Sequence, residues 1–482
     1  MRFSIVSRIL GILLMLFSFT MLPPVAISLY YNDQQHAVFL DAYLITLAAG
    51  VLLWLPVRHL KKELRLRDGF LVTVLIWFVL SLSGAIPLYL TDLPHLSFVD
   101  AYFESISGLT TTGATVITGL DNLPKSILWY RQQMQWFGGM GLIVLAVAVL
   151  PMLGVGGMQL YRAETPGPVK DSKLTPRITE TAKALWYIYL GLTIACALAY
   201  WAAGMTLFDA VCHSFSTIAI GGFSTHDASM GYFDNVMIEM IAVFFMFSAG
   251  INFALHFAAW RRNSWITYFL DPEFRFYASL MLIIAIITIS VLYLTGTFTL
   301  SESISKGLFE VVSIATTTGF STDDFAHWPF VLPFLLFLVA FVGGCAGSTG
   351  GGMKAIRILL IYKQGLREVK RLIHPNAVIP VKLGKKPVQD RVLEAVWGFF
   401  SVYLFVFVVL LIMLLATGLD QVTAWSAVGA SINNLGPGLG DVALDYSQIP
   451  DSAKWVLCLA MLMGRLEIFT LLILFTPSFW RN

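Results

Sequence analysis

Long apolar runs follow one another along the chain, and four of the polar breaks between them share one design. Each is a short run centred on a glycine, placed just after a short helical stretch. They read Thr110-Thr111-Thr112-Gly113-Ala114-Thr115, Ala219-Ile220-Gly221-Gly222-Phe223-Ser224, Thr316-Thr317-Thr318-Gly319-Phe320-Ser321 and Asn433-Asn434-Leu435-Gly436-Pro437-Gly438. An apolar run of about 20 residues spans a bilayer as a helix. The pattern predicts ten such helices, with the first two near 5–30 and 37–58. Four pairs follow, each an outer helix, a re-entrant segment carrying its glycine, and an inner helix. The outer helices fall near 69–91, 182–204, 276–298 and 395–418, the inner ones near 131–153, 233–259, 329–362 and 452–476. The fold class is therefore an all-α membrane protein with four re-entrant pore loops in pseudo-four-fold arrangement. Its units are an N-terminal helix pair (1–68), pore repeat one (69–158), a cytoplasmic segment with pore repeat two (159–262), pore repeat three (263–365), and a cytoplasmic segment with pore repeat four (366–482).

Cationic residues in short loops collect on the cytoplasmic side of a membrane. One set of connections carries Arg58, Lys61, Lys62, Arg65 and Arg67, then Arg162, Lys170, Lys173, Arg177 and Lys183, then Arg261, Arg262 and Arg275. Its last member carries Lys363, Arg367, Lys370, Arg371, Lys382, Lys385, Lys386 and Arg391. The opposite connections hold Lys125, Arg131, Lys306 and Lys454, and residues 21–36 and 205–235 hold no Lys or Arg. The alternation fits ten spans. Both termini are then cytoplasmic, and all four glycine segments enter from outside.

Composition closes the soluble alternative. Hydrophobic residues make up 57% and charged residues 12% of the chain, against a usual charged share of roughly 25%. The net charge of +2 says little about partners. Cys196, Cys212, Cys345 and Cys458 lie in apolar or glycine-rich surroundings with no CxxC pair, as small buried hydrophobes do. The histidines form no pair at metal-ligand spacing backed by carboxylates, so no zinc site is expected. Arg2 and Arg8 precede an apolar stretch, but no small-residue cleavage site follows, so Ile9 to Tyr30 is read as a retained helix.

A cation crossing lipid must be offered oxygens in place of its water, and rings of backbone carbonyls do this. Glycine serves where successive carbonyls must point inward, because that backbone needs dihedrals closed to residues with a Cβ. Threonine hydroxyls add uncharged ligands, and the absence of a carboxylate ring argues against divalent selectivity. The short helices, such as 98–107, end near the path, where their C-terminal dipole ends favour cations. Nine residues before the glycines stand Glu104, His213, Glu310 and Ala427; six before stand Ser107, Ser216, Ser313 and Ala430. Thirteen before, Asp100 and Asp209 match, but Lys306 and Thr423 do not. Three repeats are close relatives and the fourth has drifted. Glu104, Glu310 and His213 either tune the outer mouth or carry protons, or anchor the loops by hydrogen bonds.

The third inner helix contains Gly343-Gly344-Cys345-Ala346-Gly347-Ser348-Thr349-Gly350-Gly351-Gly352-Met353-Lys354. Each glycine costs a helix about 1 kcal/mol relative to alanine, and a break inside the membrane is tolerated only where protein or water covers it. The segment reads as a gate beneath the third loop, or as a passive kink. It is no phosphate-binding loop, because Met353 precedes Lys354 and Ala355 follows it. Gly436-Pro437-Gly438-Leu439-Gly440 follows no strand and makes no dinucleotide motif. Arg465 lies within the fourth inner helix, where an arginine needs a partner or water. It contacts carbonyls of the glycine-rich segment or sets the field below the loops; pairing with Glu467 or snorkelling is the alternative. Residues two apart on a helix point in different directions.

The runs SGLTTTGAT at 107–115, IAIGGFSTHD at 218–227, ATTTGFST at 315–322 and NNLGPGLG at 433–440 resemble the filter segments of the Trk/Ktr/HKT potassium transporters. The run 371–378, Arg371-Leu372-Ile373-His374-Pro375-Asn376-Ala377-Val378, and QLYRAETPGP at 159–168 resemble the bacterial Trk-type branch. The resemblance covers essentially the whole chain. It implies a potassium filter formed by Thr110, Thr111, Thr112 and Gly113; Ala219, Ile220, Gly221 and Gly222; Thr316, Thr317, Thr318 and Gly319; and Asn433, Asn434, Leu435 and Gly436. It implies a gate formed by residues 343–352 with Lys354 and Arg465. It also implies a homodimer in the bacterial inner membrane. A TrkA-type cytosolic regulatory protein that binds NAD or ATP/ADP is the implied partner, and 159–183 and 363–391 are its docking candidates. The chain itself is expected to bind no cofactor and no nucleic acid, with potassium as substrate. Proton- or sodium-coupled potassium symport is the alternative to channel-like uptake. No nucleophile–base set or metal cluster is placed for enzyme chemistry.

Overall fold

A computed structural model describes residues 3–59, 65–141 and 178–481. Six helices among them are long and apolar enough to cross a membrane: Phe3–Tyr31, His36–Val57, Arg67–Leu90, Lys183–Ala202, Pro272–Leu294 and Asp390–Leu415. These are the N-terminal pair and the four outer helices of the repeats. The first two pack closely through small residues. A Cβ at Gly11 would sit 2.7 Å from the Gly50 carbonyl oxygen. The β-structure among the described residues is the two-residue hairpin Lys382–Leu383 with Lys386–Pro387.

The inner elements depart from the predicted straight spans. Val236–Ala249 and Phe253–Arg262 form one pair bent by 94°, and Asp451–Arg465 with Phe469–Phe475 another bent by 108°. Counting each as one span brings the total to eight. Hydropathy averages over a window and does not register such corners. At the first, the Tyr277 ring occupies the space beside Gly250, and Asn252 Oδ1 caps the next helix through Ala254 N at 2.8 Å. At the second, Glu467 and Ile468 both take left-handed φ, 52° and 56°, a conformation costly for a β-branched residue. The third inner element is two helices, Leu332–Ala340 and Ala355–Ile373, on either side of a non-helical stretch. The first begins as Lys125–Trp136 and a π-helical turn Phe137–Gly141. Its continuation to 153 and the basic stretch 159–177 lie outside the described residues, as do Lys61 and Lys62.

Four short helices dip between these pairs: Phe98–Leu109, Leu207–Ala219, Leu300–Thr316 and Gln421–Ile432. Each starts on a side chain that accepts from backbone amides in the first turn, namely Ser97, Thr206, Thr299 and Asp420. The third helix has 17 residues against 12 or 13 in the others. Its extra turn is at the N-terminus, so its cap and first-turn acid (Thr299, Glu302) lie one turn further out. That is why Lys306 stands where Asp100 and Asp209 stand in the first two repeats.

Candidate functional site

The four glycine segments leave the C-terminal ends of the short helices and meet one another. Each helix closes with the same bond. The amide of the residue before the glycine (Thr112, Gly221, Thr318, Leu435) donates to the carbonyl six residues before the glycine (Ser107, Ser216, Ser313, Ala430), at 2.8 Å in every repeat. Two residues before the glycine, Thr111, Ile220, Thr317 and Asn434 have φ between 53° and 69°; the glycines Gly113, Gly222, Gly319 and Gly436 lie between 80° and 96°. Left-handed residues alternating with ordinary ones turn successive carbonyls toward one side.

The segments close on themselves in chain order. A Cβ at Gly113 would collide with the carbonyl oxygen of Gly221, one at Gly222 with that of Thr318, and one at Gly319 with that of Leu435. The cycle completes at Gly436, where a Cβ would sit 2.7 Å from the carbonyl oxygen of Thr112. Every glycine is thus the seat for the backbone of the next repeat. Gly113, Gly222 and Gly319 are partly exposed, whereas Thr110, Thr111, Thr112, Ala219, Ile220, Thr316, Thr317, Thr318, Asn433, Asn434 and Leu435 are buried behind them. In the first and third segments the flanking threonine hydroxyls bond each other, Thr110 to Thr112 at 2.8 Å and Thr316 to Thr318 at 2.7 Å. In the fourth, Asn434 Nδ2 donates to Thr112 Oγ1 at 2.9 Å, and Tyr446 OH donates to the Gly436 carbonyl at 2.6 Å.

Glu104, His213 and Glu310 hold the chain after each glycine. Glu104 accepts from the Val116 amide at 3.0 Å and Glu310 from the Thr322 amide at 2.7 Å, while His213 Nε2 lies 3.0 Å from Ser224 Oγ. Of the two readings offered for these residues, the contacts are those of an anchor. The drifted repeat has Ala427 at this position, and Ser426 takes the task from one residue earlier: its Oγ accepts from the Leu439 amide at 2.8 Å. By their place in the sequence Arg131 and Lys454 are expected to be cations of the outer connections. Both are buried instead. Arg131 pairs with Glu104 at 2.7 Å and Lys454 with Asp100 at 2.6 Å. Removing one partner of such a pair leaves an uncompensated charge, at a cost of about 3–5 kcal/mol.

The glycine-rich stretch 343–354 passes under this ring and touches three of its four segments. Thr349 Oγ1 donates to the Ile218 carbonyl at 2.9 Å, the Gly351 amide to Thr317 Oγ1 at 2.7 Å, and the Gly352 amide to the Asn433 carbonyl at 3.1 Å. Lys354 is buried with its ammonium on the Gly350 carbonyl. Gly343, Gly344, Cys345, Ala346, Gly347 and Ser348 form the entering limb; the Cys345 amide bonds the Gly250 carbonyl at 2.8 Å, and the Gly347 carbonyl accepts from Phe253 N at 3.0 Å. Beneath the first segment, Arg465 donates to Thr111 Oγ1 at 3.3 Å and to the carbonyls of Gly138 and Gly139, with its guanidinium 5.3 Å from the Trp77 ring centre. Glu467 pairs with Arg357. Arg465 and the stretch 343–354 therefore meet all four segments from one side.

On the opposite side, His226 Nδ1 lies 2.5 Å from Asp121 and its Nε2 3.4 Å from Asp209, joining the loops of the first two repeats. Burial alone would lower the imidazole pKa, but the bonds to and charges of Asp209 and Asp121 outweigh it, so the pKa is raised above 6.5. A raised value means that the charged pairing stabilises fully below about pH 6.5 and is lost as pH rises through the folded-state value. The thermal midpoint of the wild type should exceed that of His226→Gln most in mild acid, and the gap should shrink as pH rises through the raised folded-state value. A gap that is constant or grows with pH contradicts this.

Comparison with known proteins follows the same lines. The family described as TrkH, cation transport protein, matches residues 35–482. The chain is 61% identical to the Trk system potassium uptake protein TrkH of Halomonas elongata and 55% identical to that of Escherichia coli K12, in each case over 100% of both chains. Its fold is similar to a crystal structure of the potassium transporter TrkH from Vibrio parahaemolyticus, with a TM-score of 0.91, 55% identity and 100% of both chains covered.

Proposed function

The chain belongs to the TrkH family of cation transport proteins, a family of transporters rather than enzymes, and on that premise we propose that it carries potassium into the cell. It is a multi-pass membrane protein. In this reading it crosses the inner membrane ten times with both termini in the cytoplasm. Potassium is its substrate, and it binds no cofactor. The ion passes through the ring and is coordinated by carbonyls of the segments ending at Gly113, Gly222, Gly319 and Gly436. The stretch 343–354, with Lys354 and Arg465, bars the inner mouth and opens it. The observation that carries the reading is the closed cycle in which each glycine seats the carbonyl of the next repeat. Such a cycle surrounds one axis, and its oxygens replace water without fixed negative charge.

Regulation is assigned to a TrkA-type cytosolic nucleotide-binding subunit that docks on the basic segments, of which 363–391 is described, and the transporter works as a homodimer. The helix Ala355–Ile373 supports the docking assignment, because it runs directly from the barring stretch into that basic segment.

Two substitutions test the reading. Gly113→Ser puts a side chain where the Gly221 carbonyl sits, so rubidium flux into liposomes should fall at least about tenfold, or the preference for potassium over sodium should collapse. Wild-type flux and selectivity in a folded Gly113→Ser protein would remove the ring from the pathway. Arg465→Ala removes the cation beneath Thr111 and should change flux or its regulation by severalfold without loss of membrane insertion. Unchanged potassium flux in the folded variant contradicts that role.

A further inference from the structure

The placement of Glu273 bears on the barring stretch more than that of any other carboxylate described above. It sits in the first turn of Pro272–Leu294, whose cap is Asp271, with Asp271 Oδ1 accepting from Phe274 N at 2.8 Å. Glu273 is buried, with 8% of its surface exposed. A single oxygen, Oε1, accepts from the Ala346 amide at 2.7 Å and from the Ile356 amide at 3.1 Å. Ala346 lies in the entering limb of the stretch, and Ile356 lies two residues beyond its end, in the first turn of Ala355–Ile373. Between them the chain leaves toward the ring and returns. The two ends of the stretch are also stitched to each other: Met353 N donates to the Phe341 carbonyl and Ala355 N to the Gly344 carbonyl, both at 3.0 Å. The same outer helix supports the adjoining corner, where Tyr277 OH donates to the Phe247 carbonyl at 3.1 Å beside Gly250.

We infer that Glu273 is a clasp that ties the entering limb of the stretch 343–354 to the helix turn just beyond its end and so sets how often that stretch leaves the inner mouth of the ring. This rests on the reading of the stretch as the gate. The physical case is simple. The stretch is rich in glycine and has little helical order of its own, so its position depends on what its amides are bonded to. A buried side-chain oxygen that accepts two backbone amides holds both of them at one point, and breaking either bond leaves a buried amide unpaired. Moving the stretch requires at least one of these bonds to break. Glu273 is therefore a positioning residue: it touches neither the ring nor the ion, and acts through Ala346 and Ile356.

The stretch carries its own reporter. Cys345 is buried, with 1% of its surface exposed, and adjoins Ala346. Cys196, Cys212 and Cys458 are also free and buried, and serve as internal controls for folding. Alkylation of the full-length protein in liposomes, resolved by peptide mass spectrometry, reads the population in which each thiol is uncovered. In Glu273→Ala the Cys345 rate should rise more than about tenfold while the other three stay protected. Glu273→Gln keeps the shape and one neutral acceptor, and should give a smaller rise of about threefold. An unchanged Cys345 rate in either variant with the other three thiols protected overturns the clasp. If Glu273→Ala exposes all four thiols it has not folded, and Glu273→Gln decides. Rubidium flux, measured in parallel, separates the two readings. Cys345 exposure with raised flux supports both. Cys345 exposure without a change in flux keeps the clasp and removes the gate. Raised flux with Cys345 protected overturns the clasp.

Discussion

Everything in this molecule is arranged around a steric constraint at four glycines. Each must lack a Cβ because a carbonyl of the next repeat occupies that space, and the last repeat returns to the first. The constraint is collective. A side chain at one position displaces two segments, and through the cycle disturbs the others. It also explains why short helices are buried so deeply in the membrane portion. A ring of backbone oxygens can be built only from non-helical chain, and lipid tolerates such chain only where protein surrounds it. The capped short helices deliver the chain to the axis, the bond from each pre-glycine amide to the helix ends it in the same way four times, and Glu104, His213, Glu310 and Ser426 hold the departing strand.

The repeats share this frame but not its surroundings. The fourth replaces the anchoring side chain with a serine one residue earlier, and Tyr446 and Asn434 engage its backbone and its neighbour. Asymmetry is greater on the side of the ring that the stretch 343–354 meets. There the third repeat supplies a non-helical stretch that reaches the second, third and fourth segments, while Arg465 of the fourth repeat reaches the first. The proposed division of labour follows: the near-symmetric ring selects the ion, and the asymmetric inner elements control its exit. Glu273 connects that inner assembly to an outer helix, and Arg357 with Glu467 connects it to the corner of the fourth repeat.

Much of the frame was legible in the sequence because hydropathy and glycine position report it directly. The N-terminal pair, the outer helices and the four glycine segments fall where their residues indicate. What escaped was set by contacts distant in sequence. Arg131 reads as a loop cation by position, but Glu104, 27 residues away, neutralises it; Lys454 meets Asp100 across 354 positions. The corner at Gly250 lies inside an apolar run, and the one at Glu467-Ile468 has apolar sequence on both sides, so a hydropathy window averages over both. Lys306 seemed to break the repeat only because its helix had gained a turn. Glu273 is a first-turn acid, a position where acids are favoured without any further role. Its second task depends on a stretch more than seventy residues later.

The central claim is that the four segments enclose one potassium path. Anomalous scattering from rubidium or thallium in crystals of the protein tests it most directly. The account predicts an ion peak on the axis enclosed by the carbonyls of the segments ending at Gly113, Gly222, Gly319 and Gly436, lost or displaced in Gly113→Ser. A well-ordered ring with no ion on that axis, and an ion bound elsewhere among the helices, would contradict it.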